Sequence, residues 1–258
     1  DGMTWEETLR RAAAVANDRS AARFGLFHEG APTPYSFLLE LGARGEARFA
    51  EDGGARPALR SDAWRVAWET AADAYRSGAV YGAIRREGEP ADPAAMFADG
   101  RLAMMLGGVS LADRIAGLGA EWGTVTEPVD PARPGVSQSF RYSAYLAVPN
   151  NGAQPDFAWE VVRFLAEGPL AEGGGGIPLD QAAFKRKYGE ADVSAFARLR
   201  PAAAADAAAD PNAGLSAEFF ATLFVEGNRL ADAVVGGGMP VDRAFDEWAG
   251  IGEALLLP

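Results

Sequence analysis

The most constraining feature of this chain is the stretch from Met96 to Pro128. It reads as the end of a helix, a turn at Asp99-Gly100, an uninterrupted apolar strand over Leu102–Leu106, a pair of glycines, a short helix and a second strand over Glu121–Glu127. A strand that is apolar on both faces is typical of the centre of a parallel sheet. In an open α/β sheet, ligands bind beyond the carboxyl ends of the strands, which is where the glycine pair lies.

Composition excludes several classes of function. The 258 residues include 36 acidic and 24 basic side chains, and the net charge of −12 repels phosphate backbones, so we expect no nucleic-acid partner. The chain has no cysteine, which excludes thiol catalysis, thiolate metal sites and disulfides. His28 is the one histidine, so no multi-histidine metal site can form, and we expect neither a metal nor a cofactor. The sequence contains no run of about 18 apolar residues, so it predicts no membrane span.

Hydrophobic periodicity predicts helices and strands along the rest of the chain. The predicted strands are Phe24–Phe27 and Tyr142–Val148. A polar helix near Asp180–Tyr188 is also predicted, and Pro201–Asp210 fits either a helix or a surface connection. The remaining predicted helices are Thr4–Ala16, Tyr35–Leu41, Asp62–Gly78, a helix from Asp92-Pro93 to Phe97, one from Gln154-Pro155 to Gly168, Leu215–Val235 with a bend at Gly227, and a final helix from Pro240. Prolines and a glycine over 128–138 indicate a crossing between two lobes.

A family resemblance rests on residues within and beyond the opening stretch. Phe97, Gly100, Ala103, Met104 and Gly108 stand as F-x-x-G-x-x-A-M-x-x-x-G, which resembles a segment of family 1 extracellular solute-binding proteins of ABC importers. Further motifs follow the order and spacing of that family, and the similarity covers essentially the whole chain. These motifs are Thr4-Trp5-Glu6-Glu7, Tyr145–Pro149, Trp159–Leu165 and Gly176–Pro178.

The resemblance implies an α/β, periplasmic-binding-protein-like fold. It assigns residues 1–137 to the first part of the C-terminal lobe, 138–199 to a returning segment of the N-terminal lobe, and 200–258 to the closing helices of the C-terminal lobe. The family's first hundred or so residues have no counterpart here, so we expect a truncated fragment. The ligand would bind between the lobes, and the helix near Phe157–Leu165 would lack its apolar partners.

The resemblance also implies a function. The expected protein is a non-catalytic component that captures a sugar or oligosaccharide and delivers it to the membrane permease subunits of an ABC transporter. Such proteins are extracellular or periplasmic, and the full-length precursor can carry a lipid anchor. A homodimer of the fragment is one expected way of covering the apolar surface that the missing segment would leave.

Three candidate ligand-binding residues lie after the strand Phe24–Phe27. His28, Glu29 and Tyr35 occupy the loop and helix start where the family often places polar and aromatic ligand contacts. The alternative for His28 is an ordinary hydrogen-bonded or solvated loop residue.

A second group, Gly107, Gly108 and Ser110, follows the strand Leu102–Leu106. The glycines would let a ligand approach the backbone amides of the next helix. The alternative is a tight strand-to-helix turn with Ser110 as the N-cap.

The third group of candidates comprises Arg141, Tyr142 and Phe220. Arg141 and Tyr142 precede the apolar run Tyr145–Val148, and an arginine there can bind a carboxylate or vicinal hydroxyls, or form a surface ion pair. Phe220 lies with Phe219 and Phe224 at helical spacing, which is typical of a core, although sugar binders can turn an aromatic of this helix toward the ligand.

Two other classes of function remain as alternatives. Glu29, Asp99, Asp113 and Glu121 could supply the acid and base of a glycoside-acting α/β enzyme, if the fold paired two of them. The last alternative is a dimeric scaffold without a ligand.

Overall fold

The structure is a computed structural model, and it divides the chain into two compact units. The larger unit contains residues 6–106 and 204–258, and the smaller unit contains residues 1–5 and 107–203. These units follow from packing within the chain; the lobes predicted from the sequence, with boundaries at 137/138 and 199/200, stay a prediction. The described residues are 2–18, 24–52, 56–82, 92–119, 121–137, 147–148, 152, 154–167, 195, 198–200 and 214–256.

The secondary structure alternates short strands with longer helices. The described strands are β1 (Phe24–His28), β2 (Ala50–Glu51), β3 (Arg56–Pro57) and β4 (Leu102–Leu106). The described helices are α1 (Trp5–Asn17), α2 (Pro34–Arg44), α3 (Asp62–Arg76), α4 (Pro93–Ala98), α5 (Val109–Ala116), α6 (Pro155–Glu167), α7 (Ala217–Val235) and α8 (Val241–Leu256). Within the described ranges, no helix combines the length and the apolar character needed to cross a bilayer.

Most of the predicted elements are confirmed. Strands β1 and β4 and helices α1 to α8 lie where the sequence predicts them. The predicted strand over 121–127 is wrong, because the structure assigns no strand to those residues, and α7 continues as one helix through Gly227. Residues 142–146 of another predicted strand, the helix Asp180–Tyr188 and the segment Pro201–Asp210 lie outside the described residues.

The sheet of the larger unit is parallel, with β1 inside it. Strand β1 pairs in parallel with β4, and Leu26 in β1 also forms a parallel bridge to Val80. Among the described strands, β1 therefore has neighbours on both sides and β4 has one. The prediction that β4 is central is wrong for this part of the chain, and the residues after Leu102 in β4 are half-buried, as expected for an edge position.

Side-chain hydrogen bonds stabilise the starts of helices α2 and α4. Thr33 and Ser36 form a capping box at the start of α2, where Pro34 occupies the first turn. The Asp92 carboxylate accepts a hydrogen bond from the Ala94 amide at the start of α4, as the Asp-Pro sequence predicts. These caps satisfy amides that have no partner within the helix.

Aromatic side chains form the centre of the larger unit. Trp64 and Trp68 on α3 and Trp248 on α8 are each at most 1% exposed. The Trp248 ring centroid lies 5.1 Å from that of Trp64 and 6.0 Å from that of Trp68. Phe49 adds a ring 4.9 Å from Trp64 and 5.7 Å from Phe219 on α7. Burial of large aromatic rings supplies much of the hydrophobic free energy of a core, so this cluster holds α3, α7 and α8 together.

In the smaller unit, the described backbone contacts join distant parts of the chain. The Val129 amide donates a hydrogen bond to the Met3 carbonyl at 2.9 Å. The Ser137 amide donates to the Arg200 carbonyl, also at 2.9 Å, next to a parallel bridge between Val136 and Arg200. The segment 126–137 is therefore held at both ends.

Helix α6 exposes several large apolar side chains. Phe157 and Phe164 are each 66% exposed, and Trp159 is 58% exposed. This agrees with the expectation that the helix presents apolar surface. The second copy of the chain that was expected to cover it stays a prediction.

We expect Gly42→Ala to lower the free energy of unfolding by about 1 to 3 kcal/mol, the usual cost of overpacking a core. A Cβ at Gly42 in α2 would lie 2.1 Å from Cζ3 of Trp64. The Trp64 ring cannot easily shift, because its Nε1–H donates a hydrogen bond to the Arg48 carbonyl at 2.8 Å. Urea denaturation measures the effect.

Gly250→Ala in α8 is the matched control. A Cβ there would meet the end of the Arg60 side chain at 3.9 Å, which is ordinary contact. Since alanine favours a helix over glycine, we expect this variant to be unchanged or more stable by up to about 1 kcal/mol. Equal stability of the two variants would contradict the packing described here.

Candidate functional site

The candidate site lies at the carboxyl edge of the sheet in the larger unit. Strands β1 and β4 are in register, so His28 lies opposite Leu106 and both strands end together. The Glu29 amide then donates a hydrogen bond to the Leu106 carbonyl at 2.8 Å, and the chain turns toward α2. Because ligands of open α/β sheets bind beyond the carboxyl ends of the strands, this turn is a candidate binding surface.

His28 faces protein rather than solvent. Both of its ring nitrogens are buried, and the ring makes an edge-on contact with Phe37 of α2 at 6.3 Å between centroids. Gly30 lies close to the same ring, since a Cβ there would be 3.2 Å from its Cε1 atom. Glu29 is half-buried and Gly30 is exposed, so these two residues present the turn to solvent.

Tyr35 occupies the core instead of the surface. It is 1% exposed, and its hydroxyl oxygen accepts a hydrogen bond from the Nε1–H of Trp248 at 2.9 Å. Burial raises the pKa of the Tyr35 hydroxyl above its ordinary value, so the group stays neutral through the physiological range. We therefore leave Tyr35 out of the surface that a ligand would contact.

The aromatic residues of α7 divide between core and surface. Phe219 is 2% exposed, as a core residue should be, and half-buried Phe220 packs on Phe49 at 5.7 Å between centroids. Phe224 lies one turn after Phe220 on the same side of the helix, yet it is 48% exposed. The core interpretation of Phe224 is corrected by this exposure.

Phe224 contacts the helix that follows β1 in the chain. Its ring centroid lies 5.8 Å from that of Tyr35, which is in the first turn of α2. The chain leaves β1, passes Glu29 and Gly30, and enters α2 at Pro34, one residue before Tyr35. Sequence reasoning missed Phe224, although its spacing from Phe220 was visible, because periodicity alone does not say which end of an apolar stripe reaches solvent.

The glycine pair, Gly107 and Gly108, begins the longer segment of the smaller unit. Gly107 is half-buried and Gly108 is exposed. Helix α5 begins at Val109, so Ser110 lies in its first turn and the prediction that Ser110 is the N-cap is wrong. Gly108 precedes the helix instead. Arg141 and Tyr142 lie outside the described residues.

The pairing of two carboxylates that a glycoside-acting enzyme would need stays a prediction. Asp99 forms an exposed ion pair with Arg101 at 2.9 Å, and Glu121 is exposed. Among the residues that the structure describes, no group of three or more acidic or histidine side chains is placed to hold a metal ion.

Comparison with known proteins finds likeness in structure alone. No family model matches the chain, and no curated protein matches its sequence. Among solved structures, the chain is similar to an ABC transporter solute-binding protein from Thermotoga lettingae bound with α-D-tagatose, with a TM-score of 0.56 and 15% identity over 99% of this chain and 65% of that one.

Two further solved structures are similar to this chain. A cyclo/maltodextrin-binding protein complexed with maltotetraose gives a TM-score of 0.56 and 16% identity over 97% of this chain and 64% of that one. The maltotriose-binding protein of Thermus thermophilus, bound with maltotriose, gives a TM-score of 0.52 and 18% identity over 98% of this chain and 66% of that one. The chain thus spans about 65% of the length of the first of these proteins, and it has an α/β, periplasmic-binding-protein-like fold.

Tyr35 and Tyr75, two of the buried tyrosines, should respond in opposite ways to loss of the hydroxyl. The Tyr75 hydroxyl is buried without a hydrogen-bond partner in the described part of the chain. We expect Tyr75→Phe to keep or raise the free energy of unfolding by up to about 2 kcal/mol, and Tyr35→Phe to lower it by about 1 to 3 kcal/mol because the Trp248 N–H loses its acceptor. Denaturation at pH 7 compares them, and the reverse order would contradict these environments.

The same tyrosines predict alkaline sensitivity. Burial, with a contribution from Asp232 at Tyr75, raises the pKa of both hydroxyls in the folded state. Above about pH 10 the unfolded state releases protons that the folded state keeps, so the free energy of unfolding falls as pH rises. In Tyr75→Phe we expect this slope to be shallower by about 1.4 kcal/mol per pH unit. An unchanged slope between pH 10 and 11.5 would be the contrary result.

Proposed function

We propose that this chain is the ligand-binding part of a solute-binding protein of an ABC importer, and that it captures a sugar or oligosaccharide. One observation carries the proposal: a half-exposed aromatic ring, Phe224, contacts Tyr35 in the first turn of α2, the helix that follows the carboxyl end of β1. The fold supports it, since the similar solved structures are a solute-binding protein of an ABC transporter bound with α-D-tagatose and two proteins bound with maltotetraose and maltotriose.

The chemistry of the surface suits a carbohydrate. A pyranose ring has an apolar face of C–H groups, and burying that face against Phe224 removes apolar area of both partners from water. The edge of the sugar carries hydroxyl groups, which donate hydrogen bonds to carboxylates. Glu29 is a half-buried carboxylate residue of the turn after β1, next to exposed Gly30.

The remaining predicted contacts extend this proposal. We expect Phe220 to flank Phe224 as a second aromatic contact. Gly107, Gly108, Ser110, Arg141 and Tyr142 stay predicted ligand contacts. Ligand contacts on two lobes would favour a closed state over an open one, which is how a clamp of this kind couples binding to a hinge motion.

The proposal includes a location and a partner. A solute-binding protein of this type works outside the cytoplasm, in the periplasm or at the cell surface with a lipid anchor, and it delivers its sugar to the permease subunits of its transporter. The net charge of −12 agrees with a protein that avoids anionic lipid surfaces.

Sugar binding is tested with maltotriose, maltotetraose and tagatose. A ligand that binds only the folded state raises the melting temperature, so we expect at least one of these sugars to do so in differential scanning fluorimetry. We expect Phe224→Ala to weaken its affinity, measured by titration calorimetry, by about 5- to 30-fold, the equivalent of about 1 to 2 kcal/mol of lost apolar burial.

Phe164→Ala is the control for that substitution. It removes the same ring from an exposed position, 66% exposed on α6, that has no place in the proposed surface. We expect its sugar affinity to equal that of the wild type. Full affinity in Phe224→Ala, or equal losses in the two variants, would remove the aromatic surface from the proposal.

A further inference from the structure

We infer that Tyr35 positions Phe224 for ligand binding without touching the ligand. The inference rests on the proposed function for its ligand, and the geometry that supports it stands independently. The ring of Tyr35 contacts the ring of Phe224 edge-on, with 5.8 Å between the centroids and 65° between the ring planes. An exposed phenylalanine on a helix otherwise exchanges between rotamers, so this contact selects one orientation.

Tyr35 can select an orientation because it is itself held rigidly. Its hydroxyl oxygen accepts the hydrogen bond from Trp248, whose ring is 0% exposed in the aromatic core. This bond anchors the far end of the Tyr35 ring. The ring edge that meets Phe224 is therefore fixed relative to α8 as well as to α2.

Gly227 provides the second constraint on the Tyr35 ring. A Cβ at this position of α7 would lie 2.2 Å from both Cε2 and Cζ of Tyr35. The absence of a side chain there forms a notch in α7 that the ring fills, three residues after Phe224 and on the same side of the helix. The hydrogen bond, the notch and the edge contact together place the ring against Phe224.

Positioning matters for affinity because ordering a free side chain upon binding costs entropy. A phenylalanine that already points in the bound orientation avoids that cost, which corresponds to about a 2- to 10-fold difference in affinity for one side chain. The structure thus assigns Tyr35 an effect on binding that passes through Phe224. Residue Phe224 makes the contact, and Tyr35 is a positioning residue.

The orientation of Phe224 is measured first, with no ligand present. Protein labelled with 4-fluorophenylalanine gives one fluorine NMR signal for each phenylalanine, and Phe224→Leu identifies the signal of residue 224. We expect Tyr35→Leu to move this signal toward the position of free fluorophenylalanine. Gly227→Ala should also shift it, because the added methyl group clashes with Cε2 and Cζ of Tyr35 and displaces the ring, although the tyrosine itself is retained.

Tyr75→Leu controls for a general loss of packing. Tyr75 is a buried tyrosine of α3 in the same unit, and its ring packs on Phe37 at 5.9 Å. We expect this variant to lose stability comparably and to leave the Phe224 signal in place. A Phe224 signal that is unchanged in Tyr35→Leu, or shifted equally in Tyr75→Leu, overturns the inference.

The effect on binding is measured second, by calorimetry with maltotriose. We expect Tyr35→Leu to weaken affinity about 2- to 10-fold. In the double variant with Phe224→Ala, we expect the affinity of Phe224→Ala alone, because a positioning residue has nothing left to position. Losses that simply add would show that Tyr35 acts independently of Phe224 and would overturn the inference.

The two measurements separate this inference from the proposed function. If Phe224→Ala binds maltotriose as the wild type does while the fluorine signal responds to Tyr35→Leu, the proposed aromatic surface fails and the positioning contact stands. If the wild type does not bind maltotriose, the fluorine signal alone decides the inference. If binding depends on Phe224 and the signal ignores Tyr35, the function stands and the inference fails.

Discussion

The architecture of the larger unit depends on the position of Trp248. Its indole ring packs on the two tryptophans of α3, and its N–H donates to the hydroxyl of Tyr35, a residue 213 positions away in sequence. One side chain therefore fixes α8 against both α3 and the first turn of α2. Since a buried N–H without an acceptor costs about 1 to 3 kcal/mol, the pairing also makes this arrangement specific. The segment 6–106 thus needs the closing helices to complete its core.

The candidate surface is connected to this core by direct side-chain contacts. Tyr35 joins the hydrogen bond of Trp248 to the edge of Phe224, and Gly227 lets the ring lie against α7. A binding residue on a helix can be half-exposed and still well ordered when a buried neighbour supports it. Here the support comes from a tyrosine whose own polar group is satisfied inside the protein. The proposed ligand surface therefore depends on the same few contacts as the stability of the core.

Much of the fold was predictable from local pattern, while the site was predictable in part. The amphipathic stripe of α3, the Asp92-Pro93 start of α4 and the apolar run of β4 each specify their element through short-range preferences. The carboxyl edge of the sheet, with His28 and Glu29, also followed from the order of strands and loops. Overall identity to the similar solved structures is only 15 to 18%, yet the motifs around Phe97–Gly108 predicted the periplasmic-binding-protein-like fold that the structural comparison shows.

The sequence by itself determined where most helices and strands form, because hydrophobic period, caps and turn residues act within a few positions of one another. Within the described part of the sheet, only the tertiary structure shows that β1 lies between two neighbours, because Val80 pairs with it on the side away from β4. It likewise decided the roles of two aromatic residues with similar local patterns. Tyr35 became a buried support because Trp248 and Gly227 meet it from distant parts of the chain, whereas Phe224 stayed half-exposed at the boundary of the core. Burial depends on what packs from elsewhere, and no local pattern contains that information.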